Sequence, residues 1–222
     1  KVKILDASWH LPNANRNSFE EFMSQHIINS IFFDIDKNSN QNTNLPHMLP
    51  SKKDWEKIVS ELGISNSDHI IIYDNSDVLS SCRVWYNFLY FGHDPELVSV
   101  LDGGFKKWIN EQRPTAKEVI RNKKSKYIAK ENTPLVINKD EVNENIYSKK
   151  FQLIDARGEK RFLGLESEPR EGMRSGNIEG SKNLPFRLLI NEDRTLKKVD
   201  ELTKIFKEKE ISIDIDKVFS CG

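Results

Sequence analysis

Lys3-Ile4-Leu5-Asp6-Ala7 and, 149 residues further on, Gln152-Leu153-Ile154-Asp155-Ala156 are one local pattern written twice: a short apolar run that ends in Asp-Ala. Two more pairs follow in the same order. His26-Ile27-Ile28-Asn29-Ser30 leads into the strand Ile31-Phe32-Phe33, while Asn177-Ile178-Glu179-Gly180-Ser181 leads into Lys182-Asn183-Leu184-Pro185-Phe186, at an offset of 151. The β-branched run His69-Ile70-Ile71-Ile72-Tyr73 ends at Asp74, and Asp216-Lys217-Val218-Phe219-Ser220 ends at Cys221, at an offset of 147. Ordered matches at nearly constant spacing indicate a duplicated unit, which sets the domain count before any single residue is interpreted.

Helical signals lie between these strands. Ser18 to His26 is a short amphipathic stretch. Ser51 caps a helix that runs to Leu62, with Asp54 at the capping-box position, an apolar side of Trp55, Ile58, Val59 and Leu62, and Gly63 as the stop. Val199 to Lys207 is its partner in the second copy. Alternation of strand and helix implies an α/β fold of two domains, each a mostly parallel sheet with helices on both faces. The expected division is 1–115 for the first domain, 116–136 for a polar linker and 137–222 for the second. After Asp74 the first copy continues with a helix (Ser80 to Phe91), a strand (Leu97 to Leu101), Gly103-Gly104 and a helix through Trp108. The second copy has no such continuation, so the repeat implies an incomplete second domain, short by ~40 to 50 residues at usual element lengths, and a separate C-terminal fragment as the partner that completes it.

Composition narrows the function classes. The 222 residues carry 34 basic and 34 acidic side chains, which removes any global electrostatic case for nucleic acid or an anionic membrane. No apolar run approaches a membrane span and no signal-peptide core opens the chain, so a soluble, cytoplasmic protein is expected. Cys82 and Cys221 are too few for a disulfide framework and suit a reducing compartment.

Cys221 stands where a parallel strand, expected to be buried, ends, which is the edge of an open α/β sheet at which ligands bind. A thiol entering a turn of backbone N–H groups is stabilised as thiolate, the nucleophilic form. The matching residue of the first copy is Asp74, so one copy carries a nucleophile and the other does not. Cys82, inside an amphipathic helix, reads as structural. The segment from Arg161 to Gly172 is expected to be a long loop on the same edge as Cys221. Its arginines, Arg161 and Arg170, either clamp a carboxylate through bidentate guanidinium contacts or pair with Glu166, Glu168 or Glu171.

Taken together, Leu5-Asp6-Ala7-Ser8-Trp9, Phe33-Asp34-Ile35-Asp36, His47-Met48-Leu49-Pro50, Tyr73-Asp74-Asn75, Arg83-Val84-Trp85, Phe91-Gly92-His93, Val100-Leu101-Asp102-Gly103-Gly104-Phe105, Asp155-Ala156-Arg157, Arg161-Phe162, Glu168-Pro169-Arg170 and Ser175-Gly176 resemble the tandem rhodanese-type sulfurtransferases, above all their 3-mercaptopyruvate branch. The resemblance implies two rhodanese-like domains, the second catalytic, with Cys221 as nucleophile at the start of an amide-lined loop of which Cys221 and Gly222 are present. Gly222, rather than a basic residue, matches the mercaptopyruvate type. Arg161 and Arg170 match the pair that holds that substrate's carboxylate and keto oxygens. Asp36 and His47 match a relay, resembling that of serine proteases, that approaches a serine two residues beyond the nucleophile. Asn177 and Asn29 depart from the family's usual His and Gly at turn positions.

The expected activity is therefore transfer of sulfane sulfur from 3-mercaptopyruvate, a small anionic donor, through a cysteine persulfide to cyanide or a thiol acceptor such as thioredoxin, with pyruvate released. No metal or organic cofactor is expected, because the His and Cys residues lack zinc-ligand spacing. The alternatives are thiosulfate as the donor, or a rhodanese-type binding module without catalysis. A phosphatase on the same fold is disfavoured, since its nucleophile loop ordinarily ends in an arginine.

Overall fold

A computed structural model of the chain describes residues 1–120, 122–169 and 172–220. It divides into two compact units, 1–135 and 136–222. The strands are β1 (Val2–Asp6), β2 (His26–Ile27), β3 (Ser30–Phe32), β4 (His69–Tyr73), β5 (Val98–Val100), β6 (Thr115–Ala116), β7 (Gln152–Asp155), β8 (Lys182–Asn183) and β9 (Lys217–Ser220). The helices are α1 (Ser18–Ser24), α2 (Lys52–Glu61), α3 (Ser80–Tyr90), α4 (Gly104–Asn110), α5 (Lys139–Ser148), α6 (Glu159–Phe162) and α7 (Val199–Glu208).

In the first unit a parallel sheet has the order β3-β1-β4-β5. In the second, the parallel order β8-β7-β9 repeats the first three places. The register repeats as well. Asp6 lies opposite Phe32 and Tyr73, and Asp155 lies opposite Asn183 and Ser220. Beyond the strand ends the match continues, with Ala7 N donating to Tyr73 O at 2.8 Å and Ala156 N to Ser220 O at 2.9 Å. The duplication read from the sequence is thus a duplication of the sheet frame.

The two cores differ in depth. Around the first sheet, Leu5, Phe33, Trp55, Val59, Ile70, Ile72, Phe88 and Phe91 are fully or nearly fully buried. Trp55 is central: its ring stacks on Phe91 at 4.7 Å and meets Phe88 edge-on at 5.0 Å. It reaches that place because Ser51 caps α2, its side chain accepting from Asp54 N at 3.2 Å, so that Trp55 and Val59 share the buried face. In the second unit the fully buried cluster is Ile154, Leu184 and Ile211, with Ile205 and Phe206 of α7 packed against it. At roughly 1.5–3 kcal/mol per buried large apolar side chain, the first unit has far more hydrophobic stabilisation.

Of residues 116–136, expected to act as a linker, the described ones up to 135 belong to the first unit. β6 pairs antiparallel with β2, and Tyr127 and Ala129 enter the Trp55 core. Backbone bonds tie the segment down, among them Ser125 N to Ser60 O at 3.0 Å and Lys130 N to Phe91 O at 2.9 Å. Gly63, which ends α2 at φ 73°, is required by this crossing, since a Cβ there would lie 2.6 Å from Lys123 O. In the second unit, α5 fills a stretch for which the sequence reading offers no element. Asn138 caps it, accepting from Asp140 N and Glu141 N, while the Glu141 side chain accepts from Asn138 N.

Candidate functional site

The first unit brings Asp36 and His47 together. After β3 the chain enters a turn, closed by Asn38 N donating to Asp34 O at 3.0 Å, in which Phe33 and Ile35 are buried and Asp36 is exposed. His47 Nε2 lies 2.8 Å from Asp36 Oδ1. Trp9 Nε1 donates to Asp36 Oδ2 at 3.0 Å, and the Trp9 ring meets the imidazole edge-on at 4.7 Å. Arg83 donates to the His47 carbonyl oxygen. His47 itself holds a left-handed backbone at φ 56°, an uncommon conformation for a residue with a Cβ, which these contacts maintain. An Nε2–H given to Asp36 leaves Nδ1 as the basic nitrogen of the ring. A cavity of about 330 Å³, lined in part by Trp9, Phe19, Phe32, Asp34 and Asp36, opens on the same surface.

The second unit builds a different arrangement at the carboxyl end of its central strand. Asp155 turns the chain by accepting from Arg157 N at 2.9 Å, and its carboxylate also takes the Arg157 guanidinium, Nε at 3.0 Å and Nη2 at 2.6 Å. Arg157 Nη1 reaches Glu168 Oε1 at 2.7 Å. Arg161 closes the row from the other side, its Nε donating to Glu168 Oε2 at 3.0 Å and its Nη2 to the same oxygen. The Glu168 side chain is only 3% exposed, against 11% for Arg157 and 20% for Arg161. Hydrogen bonding to Asp155, opposed by desolvation and aided by the charges of Asp155 and Glu168, holds Arg157 above its ordinary range. The guanidinium is charged at every accessible pH.

These positions correct the sequence reading in part. Arg161 is not in a long loop: with Phe162 it closes the one-turn helix α6, which aims it back at Glu168. Arg161 pairs with Glu168, one of the glutamates named as its possible partners, and that side chain is buried rather than solvated. Strand β9, expected to be buried, is half-exposed, with Phe219 53% exposed, because among the described residues no strand flanks it as β5 flanks β4. Arg170, Cys221 and Gly222 lie outside the described residues. Cys82 is a free cysteine on α3. Arg157 and Glu168 make a contact that the sequence did not predict; the Asp-x-Arg step at Asp155 was the available signal for the first of them. Among the described residues no group of three His, Cys, Asp or Glu side chains could hold a metal ion, and no helix is long and apolar enough to cross a membrane.

Two copies of a parallel strand frame, each ending in an aspartate turn at one sheet edge, define a duplicated α/β architecture with its polar machinery at the strand termini. Residues 1–111 match the family described as Rhodanese-like domain. Over its whole length the chain is 36% identical to the 3-mercaptopyruvate sulfurtransferase of Mus musculus, covering 74% of that protein. It is 37% identical to the thiosulfate sulfurtransferase of Rattus norvegicus, with 99% of the chain and 74% of that protein aligned. Among solved structures, the crystal structure of SseA from Escherichia coli, described under 3-mercaptopyruvate sulfotransferases, matches with a TM-score of 0.90 at 31% identity, covering all of this chain and 82% of that one. The chain belongs to the rhodanese family, among its tandem-domain sulfurtransferases, and is an enzyme of that kind.

Proposed function

We propose that this sulfurtransferase takes its sulfur from 3-mercaptopyruvate through a persulfide on Cys221. The Cys221 thiolate attacks the substrate's thiol sulfur. A sulfur–sulfur bond forms, the carbon–sulfur bond breaks, and its electron pair leaves as the enolate of pyruvate, which takes up a proton. An acceptor thiolate then attacks the outer sulfur and Cys221 departs as thiolate, so sulfane sulfur passes to the acceptor without net oxidation. The acceptor is a small protein dithiol such as thioredoxin, or cyanide in an assay. Arg161 and Arg170 bind the substrate's carboxylate and keto oxygens, and Gly222 leaves room for the organic donor. Asp36 fixes the tautomer of His47, which serves as a base in the reaction.

The observation that carries this reading is the register of the second sheet. Ser220 stands opposite Asp155, in the place that Tyr73 holds opposite Asp6, and Asp155 anchors the Arg157–Glu168–Arg161 row at that strand end; Cys221 is the next residue in the sequence. The relatives named 3-mercaptopyruvate sulfurtransferase support the choice of donor. The test is a cyanolysis assay with both donors on the protein that carries this chain. Higher kcat/KM with 3-mercaptopyruvate is expected, with loss of at least about a thousandfold in Cys221→Ser for want of the nucleophile. A clear preference for thiosulfate would overturn the donor, and undiminished transfer by Cys221→Ser would overturn the mechanism.

A further inference from the structure

The Arg157–Glu168–Arg161 row contains more than a donor clamp requires. Glu168 is an acid placed beside the arginine that has to attract an acid. Coulomb's law alone makes that arrangement unfavourable, because a unit negative charge within hydrogen-bond distance of Arg161 cancels part of the field an incoming carboxylate would feel. The geometry gives the compensating reason. Arg161 sits on a single helical turn, α6, and its side chain is partly exposed. Glu168 Oε2 takes the Nε and Nη2 edge of that guanidinium, while Oε1 takes Nη1 of Arg157. Arg157 is fixed in turn by both oxygens of Asp155 and by a bond from Nη2 to Gly176 O at 2.7 Å. The chain of contacts therefore runs from the end of the central strand to Arg161, through a carboxylate that is buried and engaged at both oxygens.

We propose that Glu168 is a positioning residue for the donor: it ties Arg161 to the strand edge by way of Arg157 and holds the guanidinium plane so that its remaining N–H donors face a carboxylate-bearing substrate. The inference rests on Arg161 being a donor-binding residue, as in the reading above. A pre-oriented guanidinium binds without first giving up the rotamer freedom of a long side chain, which is the advantage that outweighs the partial cancellation of charge.

The two effects have opposite signs in one experiment. Glu168→Gln keeps the size and one acceptor oxygen but removes the negative charge. If Glu168 acted only through charge, the variant would bind an anionic donor more tightly and its KM for 3-mercaptopyruvate would fall. If it positions Arg161, the KM rises, by about tenfold for a guanidinium displaced by a fraction of its own width, and rises by more than kcat falls. An unchanged or lowered KM overturns the proposal. Should Glu168→Gln fail to fold by circular dichroism, Glu168→Asp carries the same test, since a carboxylate one methylene shorter cannot span both guanidinium groups: its KM must rise, and an unchanged value is equally fatal. Arg161→Ala, measured alongside, separates the two readings. A raised KM in Arg161→Ala with none in Glu168→Gln removes only the positioning role, whereas no change in Arg161→Ala removes the clamp itself and the proposal with it.

Discussion

The two strand edges are built on one frame and finished in different chemistry. In both units the aspartate that ends the central strand accepts a backbone N–H from two residues on, Ser8 N to Asp6 at 2.9 Å and Arg157 N to Asp155 at 2.9 Å. Serine groups donate to both Asp6 and Asp74. Asp74, the counterpart of Cys221, accepts from Ser76 N and Ser81 N at 2.9 Å each, and from the Ser81 hydroxyl. Around Asp155 the donors include a guanidinium, and a second carboxylate and a second guanidinium extend the row. Duplication preserved the backbone turn and exchanged what it presents: the first copy fills its loop with its own carboxylate, and the second assembles a row of guanidinium and carboxylate groups beside Asp155. A side chain already satisfied inside the loop leaves nothing for an anion to do there.

The comparison breaks most visibly at Arg157. Arg157→Ala would leave Asp155 and Glu168, both nearly fully buried, without the cation they share. Removing one partner of a buried charge network costs about 3–5 kcal/mol, so the second unit should unfold at markedly lower denaturant while the first keeps its transition. Two transitions followed separately, by Trp55 fluorescence for the first unit and by hydrogen exchange at Ile154 for the second, would check this. An equal loss in both would show that the edge networks are not local to their units.

A smaller effect separates the edges by pH. Burial pushes Asp6 up from 3.8 to about 6, against the pull of the Ser8 hydrogen bonds, and the charge of Asp74 adds to the rise. Because the folded state holds this proton more tightly than the unfolded chain, stability falls as pH rises from about 4 to about 6, by at most about 3 kcal/mol, and the penalty is complete above that window. Asp6→Asn keeps an acceptor for Ser8 N and has no proton to lose. The difference in unfolding free energy between parent and variant should therefore shift in favour of the variant across that interval, and a constant difference from pH 4 to pH 7 would refute the assignment to Asp6.

Much of this frame was legible in the sequence because strands announce themselves through dense β-branched and apolar runs, and because an Asp-Ala end recurs. Trp55, Ile58, Val59 and Leu62 marked the inner face of α2 through their helical spacing. Residues 116–136 read as a linker because the segment inserts few side chains, Tyr127 and Ala129, into the Trp55 core and is rich in Lys and Asn, while backbone bonds from Ser125, Lys130 and Asn132 tie it to the first unit. Helix α5 had a local signal in Asn138 and Glu141 but a mostly exposed surface. Asp36 and His47 were found through a motif, and no periodicity relates them. The contact between Arg157 and Glu168 spans 11 residues across a turn, a loop and a one-turn helix, and no local pattern encodes such a pairing.

Ser81 tests the first edge at its finest grain. Its backbone N–H and its hydroxyl both serve one carboxylate oxygen of Asp74, at the start of α3, where helix N–H groups lack partners within the helix. Ser81→Ala removes the hydroxyl and leaves the N–H, and alanine suits the helix at least as well as serine. The loss is therefore that of one hydrogen bond to a buried charged acceptor, about 1.5–3 kcal/mol, reduced by the donors that remain on Asp74 and so expected near 1–2 kcal/mol in first-unit stability. Ser81→Ala combined with Asp74→Asn should cost less than the sum of the two single changes, since the hydroxyl matters most when its acceptor is charged. Strict additivity would mean that the Ser81 hydroxyl contributes by packing, and that the first copy's loop is closed by its backbone alone.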